Sequence, residues 1–180
     1  MSEQDPRRKR LRLADYDYSS YGAYFVTVIV HDRSDIFGDV RDDSMYRSAA
    51  GDAVLAAWSA VPERFATVEL DSFAVMPNHI HGIMWLLDDV GKSPGISKDT
   101  ESAKQHRPSL PIVMRAFKST TAIAANRILN RSGPVWQRSY FEKVIRTQKQ
   151  LDTLRRYIDE NPLRWALDEE NVAYRTSDRR

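Results

Sequence analysis

The sequence of 180 residues contains no cysteine. This absence excludes a disulfide framework and a thiolate zinc site, and it is typical of proteins in a reducing compartment. No apolar run approaches the roughly 20 residues that a membrane-spanning helix requires. The charged residues 1–12 are not followed by an apolar segment of the signal-peptide type. We therefore expect a cytoplasmic protein without a membrane partner.

An excess of charge of one sign is also lacking, because the formal net charge is only +2. The cations are nevertheless concentrated in a basic arm at residues 7–12 and in the second half of the chain. The candidates for phosphate contacts are Arg8, Arg10, Arg115, Lys118, Arg138, Lys143 and Arg146. Such clusters are typical of surfaces that bind a nucleic-acid backbone. For the arm, a solvated tail is an equally good interpretation.

Histidine is rare, and the one close pair among the four histidines is His79 and His81. Pro77 and Asn78 have turn chemistry and separate two apolar runs, so the sequence predicts a β-hairpin over 68–87. Side chains two apart in a strand share one face and lie roughly 6 to 7 Å from each other. The two imidazoles can therefore converge on one metal ion. The alternative is a pair of surface residues beside a turn.

The remaining elements follow from residue periodicity, because β-branched and aromatic runs predict strands and apolar residues three and four apart predict helices. The predicted elements are a strand over 24–30, a loop over 31–43, a helix over 44–60, strands over 68–76 and 79–87, a helix over 109–130, a strand over 135–146 and a helix from 147. The strand over 24–30 has hardly a polar residue and is expected in the centre of its sheet. The order predicts an α+β protein with a ferredoxin-like antiparallel sheet (β-α-β-β-α-β) and an added C-terminal helix.

One domain is expected over residues 21–168, since a chain of this length can bury a sizeable core. Residues 1–20 form the basic arm, and residues 169–180 form a C-terminal tail. Residues 88–108 are polar and rich in Gly, Ser, Pro and Lys. This connection exceeds the roughly 12 to 15 residues usual for a structured loop. We expect a mobile insertion there, with a lid over the site as the alternative.

The last helix has a second line of residues beside its apolar stripe. Tyr157 and Asn161 are four apart, so they flank the stripe of Leu151, Leu154 and Ile158. Pro162 disfavours helical geometry at the residue before it, so the helix is expected to end at Asn161. The partly negative helix terminus favours a cation near the amide oxygen.

If this helix packs against the face that carries the two histidines, two imidazoles and one amide oxygen can form a three-ligand site. Such a nitrogen and oxygen set suits Mg²⁺ or Mn²⁺, and zinc is not excluded. A phenol with a pKa near 10 is a poor nucleophile unless a neighbouring group, such as a metal that polarises a phosphate, assists it. The alternative for Tyr157 is an amphipathic residue at the edge of the core.

Four segments resemble, in order and spacing, the single-tyrosine HUH transposases, and most closely the REP-associated tyrosine transposases. These are Met-Pro-Asn-His-Ile-His-Gly at 76–82, Val-Trp-Gln-Arg at 135–138, Val-Ile-Arg at 144–146 and Arg-Tyr-Ile-Asp-Glu-Asn-Pro at 156–162. The resemblance covers about residues 21–165. It implies that His79 and His81 are metal ligands, that Tyr157 is the nucleophile, and that Asn161 is the third ligand.

The resemblance also implies an activity. The family cleaves and rejoins single-stranded DNA next to small hairpins or palindromic elements, through a 5′-phosphotyrosine intermediate, with Mg²⁺ or Mn²⁺ and as a monomer or homodimer. Relatives often carry a histidine where this chain has Lys143, so no role of that histidine is carried over. Two alternatives remain: a non-catalytic single-strand-binding module that stacks bases on Trp136, Tyr140 and Phe141, and a metal-dependent hydrolase that acts through bound water.

Overall fold

The computed structural model describes residues 21–87, 108–168 and 171. The basic arm with Arg8 and Arg10, residues 88–107 of the predicted insertion, and the predicted tail apart from Asn171 lie outside these residues. Within the described ranges, no helix has the length and apolar content that crossing a bilayer requires.

Six strands, five α-helices and one 3-10 turn make up the described part of the chain. In chain order they are β1 (Gly22–Ile29), β2 (Gly38–Arg41), β3 (Ser44–Arg47), α1 (Ala49–Ser59), α2 (Val61–Arg64), β4 (Val68–Val75), β5 (His79–Leu86), α3 (Leu110–Ile128), β6 (Phe141–Ile145), α4 (Gln148–Asp159), α5 (Asn161–Arg164) and the 3-10 turn Trp165–Leu167. The main sheet has the order β4-β5-β1-β6. Its pairings are all antiparallel. This is the ferredoxin-like arrangement, so the predicted fold class and the central position of β1 are confirmed.

The two faces of the sheet are buried by different helices. On one face, alternate residues of β1 such as Tyr24, Val26 and Val28 form a core with residues of α1 and α3. On the other face, Ala23 and Phe25 pack with Ile83 of β5, Ile145 of β6, and Leu151 and Ile158 of α4. This second core is smaller than the first, and α4 supplies its helical residues.

Gly82 lets helix α1 approach strand β5 closely. A Cβ atom on this glycine would lie 2.6 Å from two ring carbons of Trp58, a distance that packed atoms do not adopt. The Trp58 ring stacks on Phe73 with centroids 4.4 Å apart. The glycine of the His-Ile-His-Gly sequence therefore has a packing role on the face opposite the histidines.

The prediction for residues 31–60 was partly wrong. Instead of a continuous loop to 43, the chain forms the β2-β3 hairpin, whose turn residues Asp42 and Asp43 have φ of 47° and 58°. Two consecutive positive φ values are typical of the tight hairpin turns that match strand twist, and aspartate tolerates them. The helix therefore starts after Ser48, whose hydroxyl accepts a hydrogen bond from the Gly51 amide. Ser44, where the helix was predicted to begin, lies in β3.

The strand predicted over 135–146 is shorter than expected, because only Phe141–Ile145 is a strand. Trp136 makes one isolated bridge with Val30. Its indole is 6% exposed and donates a hydrogen bond to the Thr121 hydroxyl. The aromatic content that suggested a strand instead fills the core, so Trp136 is not an exposed base-stacking residue.

Candidate active site

His79 and His81 lie at the start of β5 on the face covered by α4, whereas Ile80 enters the opposite core. This alternation follows the strand periodicity predicted from the sequence. The two Nε2 atoms are 3.0 Å apart. Both rings are almost completely buried, at 0% and 3% exposure, so the pair is a component of the interior and not a surface feature beside a turn.

Neighbouring polar groups orient both imidazoles. The amide nitrogen of Asn78 donates to the Arg33 carbonyl, so its Oδ1 faces Nδ1 of His79 at 2.9 Å. An amide oxygen only accepts, and His79 therefore carries its proton on Nδ1 and leaves Nε2 with a lone pair. The Thr27 hydroxyl lies 2.8 Å from Nδ1 of His81. A hydroxyl can donate or accept, so the Nε2 of His81 can hold either a proton or a lone pair.

Both imidazoles are held in the neutral form. Burial lowers the pKa of His79 to about 3, and the positive charge of Arg33 contributes to this shift. A polar contact with Asn161 acts in the opposite direction. Burial and the neighbouring His79 also bring the pKa of His81 well below its ordinary value. Neutral imidazole is the form that ligates metal ions.

Helix α4 brings Tyr157 to this pair. Leu151 and Ile158 of the predicted apolar stripe are buried against the sheet. In this orientation of the helix, the hydroxyl of Tyr157 lies 3.3 Å from Nε2 of His81. The phenol ring packs edge-on against Phe25 and is 36% exposed. A single chain therefore supplies both the phenol and the imidazoles, with the hydroxyl in reach of solvent.

The last helix does not end at Asn161 as predicted, because Asn161 is the first residue of a further short helix. Helix α4 ends at Asp159, and Pro162 lies in the first turn of α5, where its missing N–H is not needed. Asn161 is 1% exposed. Within the described part of the chain, its Oδ1 makes no hydrogen bond of normal geometry. A buried polar atom of this kind is rare and indicates a ligand or ion.

Asp168 was missed by the sequence reasoning. After α5 the chain turns back, and the ring of Trp165 packs 5.9 Å from that of His79. One ligand atom of each of His79, His81 and Asp168 lies within 4.8 Å of the other two. The buried Trp165 was the only signal that the chain returns to the core after Pro162.

These residues fit a divalent cation. Two nitrogens that are each about 2.1 Å from one ion, at right angles, are about 3.0 Å apart, which matches the spacing of the two Nε2 atoms. The amide oxygen of Asn161 makes no hydrogen bond of normal geometry with the described residues, and Asp168 adds a carboxylate. A nitrogen and oxygen donor set without thiolate suits Mg²⁺, Mn²⁺ or Zn²⁺.

An open pocket of about 760 Å³ extends from the site. Its lining includes the site residues His81, Tyr157, Asn161 and Asp168, together with Phe141, Lys143, Arg164 and Leu167. Of the predicted phosphate-binding cations that the structure describes, Lys143 alone lines this pocket, and Arg164 was not predicted. The pocket thus combines polar, cationic and apolar surface next to the phenol.

The other described cations lie elsewhere. Arg115 and Lys118 belong to α3, which covers the opposite face of the sheet. The Lys118 ammonium donates to the carbonyls of Gln137 and Arg138, at 2.8 and 3.0 Å, and burial lowers its pKa. Arg138 and Arg146 are exposed, and neither lines the pocket. The structure does not bring these four side chains together with the imidazoles.

An ion pair fastens α4 to the sheet. Asp71 lies where the pairing of β4 and β5 shifts register, as at a β-bulge, which redirects side chains. Arg155 donates to both Asp71 oxygens, at 2.8 and 2.6 Å. The Trp85 indole donates to the same carboxylate. The hydrogen bonds from Arg155 are the main cause that lowers the Asp71 pKa to about 2.

Replacing Asp71 by asparagine is expected to lower the free energy of unfolding by about 1–3 kcal/mol at pH 7, because a charge-assisted pair is lost. The folded-state pKa of Asp71 lies below the ordinary 3.8, so this stability is present above about pH 4 and is lost as the pH falls toward 2. Urea unfolding at several pH values measures the difference. As the control, Asp39→Asn removes an exposed pair with Arg41 and should cost below about 1 kcal/mol; equal losses would contradict the anchoring role.

No family model matches the sequence. A Haemophilus influenzae protein, described only as an uncharacterized protein, is 30% identical over 166 residues, which cover 90% of this chain and 92% of the relative. The solved structure of a REP-associated tyrosine transposase bound to a REP hairpin superimposes with a TM-score of 0.52 at 20% identity, covering 84% of this chain and 74% of that chain. The chain therefore belongs to the same family as the Haemophilus influenzae protein, and it has the fold of the REP-associated tyrosine transposase that the sequence motifs resemble.

Proposed function

We propose that this protein is a metal-dependent transposase, a single-stranded DNA endonuclease and strand transferase whose nucleophile is Tyr157. The observation that carries the proposal is the 3.3 Å approach of the Tyr157 hydroxyl to Nε2 of His81, beside a second neutral imidazole. A phenol needs an assisting group to attack a phosphodiester. Its neighbours form the donor set for such a group, which supports catalysis over a structural role.

His79 and His81 are the proposed metal ligands, with Asn161 and Asp168 as the oxygen donors. Bound there, Mg²⁺ or Mn²⁺ would supply Lewis-acid polarisation of the scissile phosphate. Thr27 and Asn78 act as positioning residues, because they hold the two Nδ1 atoms and thereby aim the Nε2 atoms at one point. The ring of Trp165 packs against that of His79, whereas His81 lines the pocket from which a substrate would approach.

In the proposed step, the Tyr157 oxygen attacks the scissile phosphorus. The new P–O bond joins the phosphate to tyrosine, and the bond from phosphorus to the 3′-oxygen breaks. The phenolic proton passes to solvent, which reaches the partly exposed hydroxyl, and the leaving 3′-oxygen takes up a proton. The product is a 5′-phosphotyrosine with a free 3′-hydroxyl. Attack by another 3′-hydroxyl reverses the step, so strands are rejoined without an external energy source.

The proposed substrate is single-stranded DNA next to a hairpin or palindromic element. The similar solved transposase is bound to a REP hairpin, and the pocket beside Tyr157 carries the cations Lys143 and Arg164, which suit phosphates. We also propose that the other predicted cations contact the DNA backbone; these are Arg8, Arg10, Arg115, Lys118, Arg138 and Arg146. Arg115 and Lys118 on α3 would contact DNA away from the scissile phosphate, whereas Arg8 and Arg10 lie outside the described residues.

The proposal predicts a covalent protein–DNA adduct that depends on a divalent ion. The protein is incubated with labelled hairpin DNA carrying single-stranded flanks from its own genomic neighbourhood, and adducts are resolved on a denaturing gel. With Mg²⁺ or Mn²⁺ we expect an adduct, and with EDTA we expect none, because the polarising ion is removed. Free cleavage products without any adduct would indicate a hydrolase that uses bound water.

The second candidate is a non-catalytic single-strand-binding module. Phe141 is 46% exposed and favours it, whereas Trp136 is buried in the core and does not. This candidate predicts DNA binding that EDTA leaves unchanged and no adduct with any ion. The unpartnered oxygen of Asn161 beside neutral imidazoles has no purpose in such a module, so we prefer the enzyme.

A further inference from the structure

A large aromatic side chain is exposed beside the proposed nucleophile. In the antiparallel register, Thr27 of β1 stands opposite His81 of β5 on one side and opposite Phe141 of β6 on the other. Residues directly opposite each other in a sheet share a face, so the three side chains form one row across the strands. Adjacent strands are about 4.8 Å apart, and Phe141 therefore lies about two strand spacings, or roughly 10 Å, from the imidazole pair.

Phe141 packs edge-on against Phe25, with ring centroids 6.3 Å apart, and is still 46% exposed. Leu167, which also lines the pocket, is 73% exposed. Apolar side chains exposed in one pocket offer contact surface to a ligand, and covering them would be favourable. The pocket volume of about 760 Å³ is within the usual range for small organic ligands.

Cations accompany this apolar surface. Lys143 is two residues from Phe141 along β6, so the two side chains point to the same face. Arg164 lines the same pocket. A flat ring next to cationic groups matches the chemistry of a nucleotide, whose base has an aromatic face and whose phosphate is anionic.

We propose that Phe141 is the stacking platform for one unpaired base next to the phosphate that Tyr157 attacks, with Lys143 on the adjoining phosphate. This inference rests on the proposed function. A base that is paired has both faces stacked within its helix, so a platform of this kind selects single-stranded DNA at the cleavage point and positions the strand. This role would also explain why the edge strand β6 has an exposed phenylalanine.

The test measures DNA binding in a protein that cannot cleave, so that it does not depend on the chemistry. In the Tyr157→Phe background, Phe141→Ala is compared with Phe141→Trp, and Ile123→Ala serves as a control because Ile123 is 65% exposed on α3. The probes are a fluorescein-labelled hairpin with an oligothymidylate flank and the same hairpin with an abasic flank. Because Phe141→Ala removes one stacking contact with a base, it is expected to weaken binding of the first probe about 5- to 150-fold.

Truncating the Phe141 ring and removing the bases of the flank, singly and together, make up a double-mutant cycle. We expect Phe141→Ala to weaken binding of the oligothymidylate probe and to leave the abasic probe unchanged, while Phe141→Trp and Ile123→Ala bind both probes as the parent does. Equal weakening on both probes, or no weakening on either, would overturn the platform. An absence of adduct in the protein with Tyr157 intact would refute the proposed chemistry alone, since the binding cycle contains no cleavage.

Discussion

Tyr157→Phe is expected to reduce formation of the covalent adduct by at least about 1,000-fold, because the attacking oxygen is removed and no other tyrosine of the described residues lines the pocket. The ring contacts of Tyr157 with Phe25 and His81 are available to phenylalanine as well, so the fold and the pocket wall are retained. DNA binding should stay within about twofold of the parent, since a single partly exposed hydroxyl contributes little to affinity. Denaturing gels measure the adduct, and fluorescence anisotropy measures binding.

The matched control is Tyr46→Phe, which makes the same chemical change at an exposed tyrosine of β3 and should leave the adduct unchanged. An adduct that survives Tyr157→Phe would move the nucleophile to another side chain. A mixture of Tyr157→Phe and His81→Ala proteins should also form no adduct, because the phenol and the imidazoles belong to one chain. Recovery in the mixture would mean that α4 is exchanged between two chains.

The hairpin and the last helix could be predicted because their periodicities decide which residues share a face. Alternation in β5 turns His79 and His81 to one side of the sheet, and the stripe of Leu151 and Ile158 then turns Tyr157 toward them. No contact between distant segments had to be known beyond the packing of α4 on that face. The positions of the two imidazoles and of the phenol therefore follow from the periodicity within β5 and α4, together with the packing of α4 on one face of the sheet.

Asp168 and Arg164 could not be predicted in the same way. Their positions depend on the chain turning at Glu160, continuing through α5 and burying Trp165 against His79, and no periodicity relates them to β5. The β2-β3 hairpin was missed because its turn uses aspartates at positive φ and not the glycine that usually marks such turns. Trp136 was misassigned because an aromatic residue predicts burial equally well inside or outside a strand.

His81→Ala is expected to abolish metal binding at the site together with the adduct. A ligand that binds only the folded protein stabilises it, and at a concentration 100-fold above its dissociation constant the gain is about 2.7 kcal/mol. We therefore expect Mn²⁺ to raise the melting temperature of the parent protein. The melting temperature of His81→Ala should not change with Mn²⁺, because this variant has lost one of the two nitrogen ligands. Thermal unfolding and the electron paramagnetic resonance spectrum of bound Mn²⁺ report this without any DNA.

His31→Ala is the control, because His31 is exposed and lies outside the site, and it should keep the full stabilisation. Asn161→Ala and Asp168→Ala then separate the two oxygen donors. The carboxylate carries a charge and the amide does not, so loss of Asp168 should weaken Mn²⁺ binding more if both are ligands. Stabilisation of His81→Ala by Mn²⁺ equal to that of the parent would place the ion at another site and would remove the physical basis for activating Tyr157.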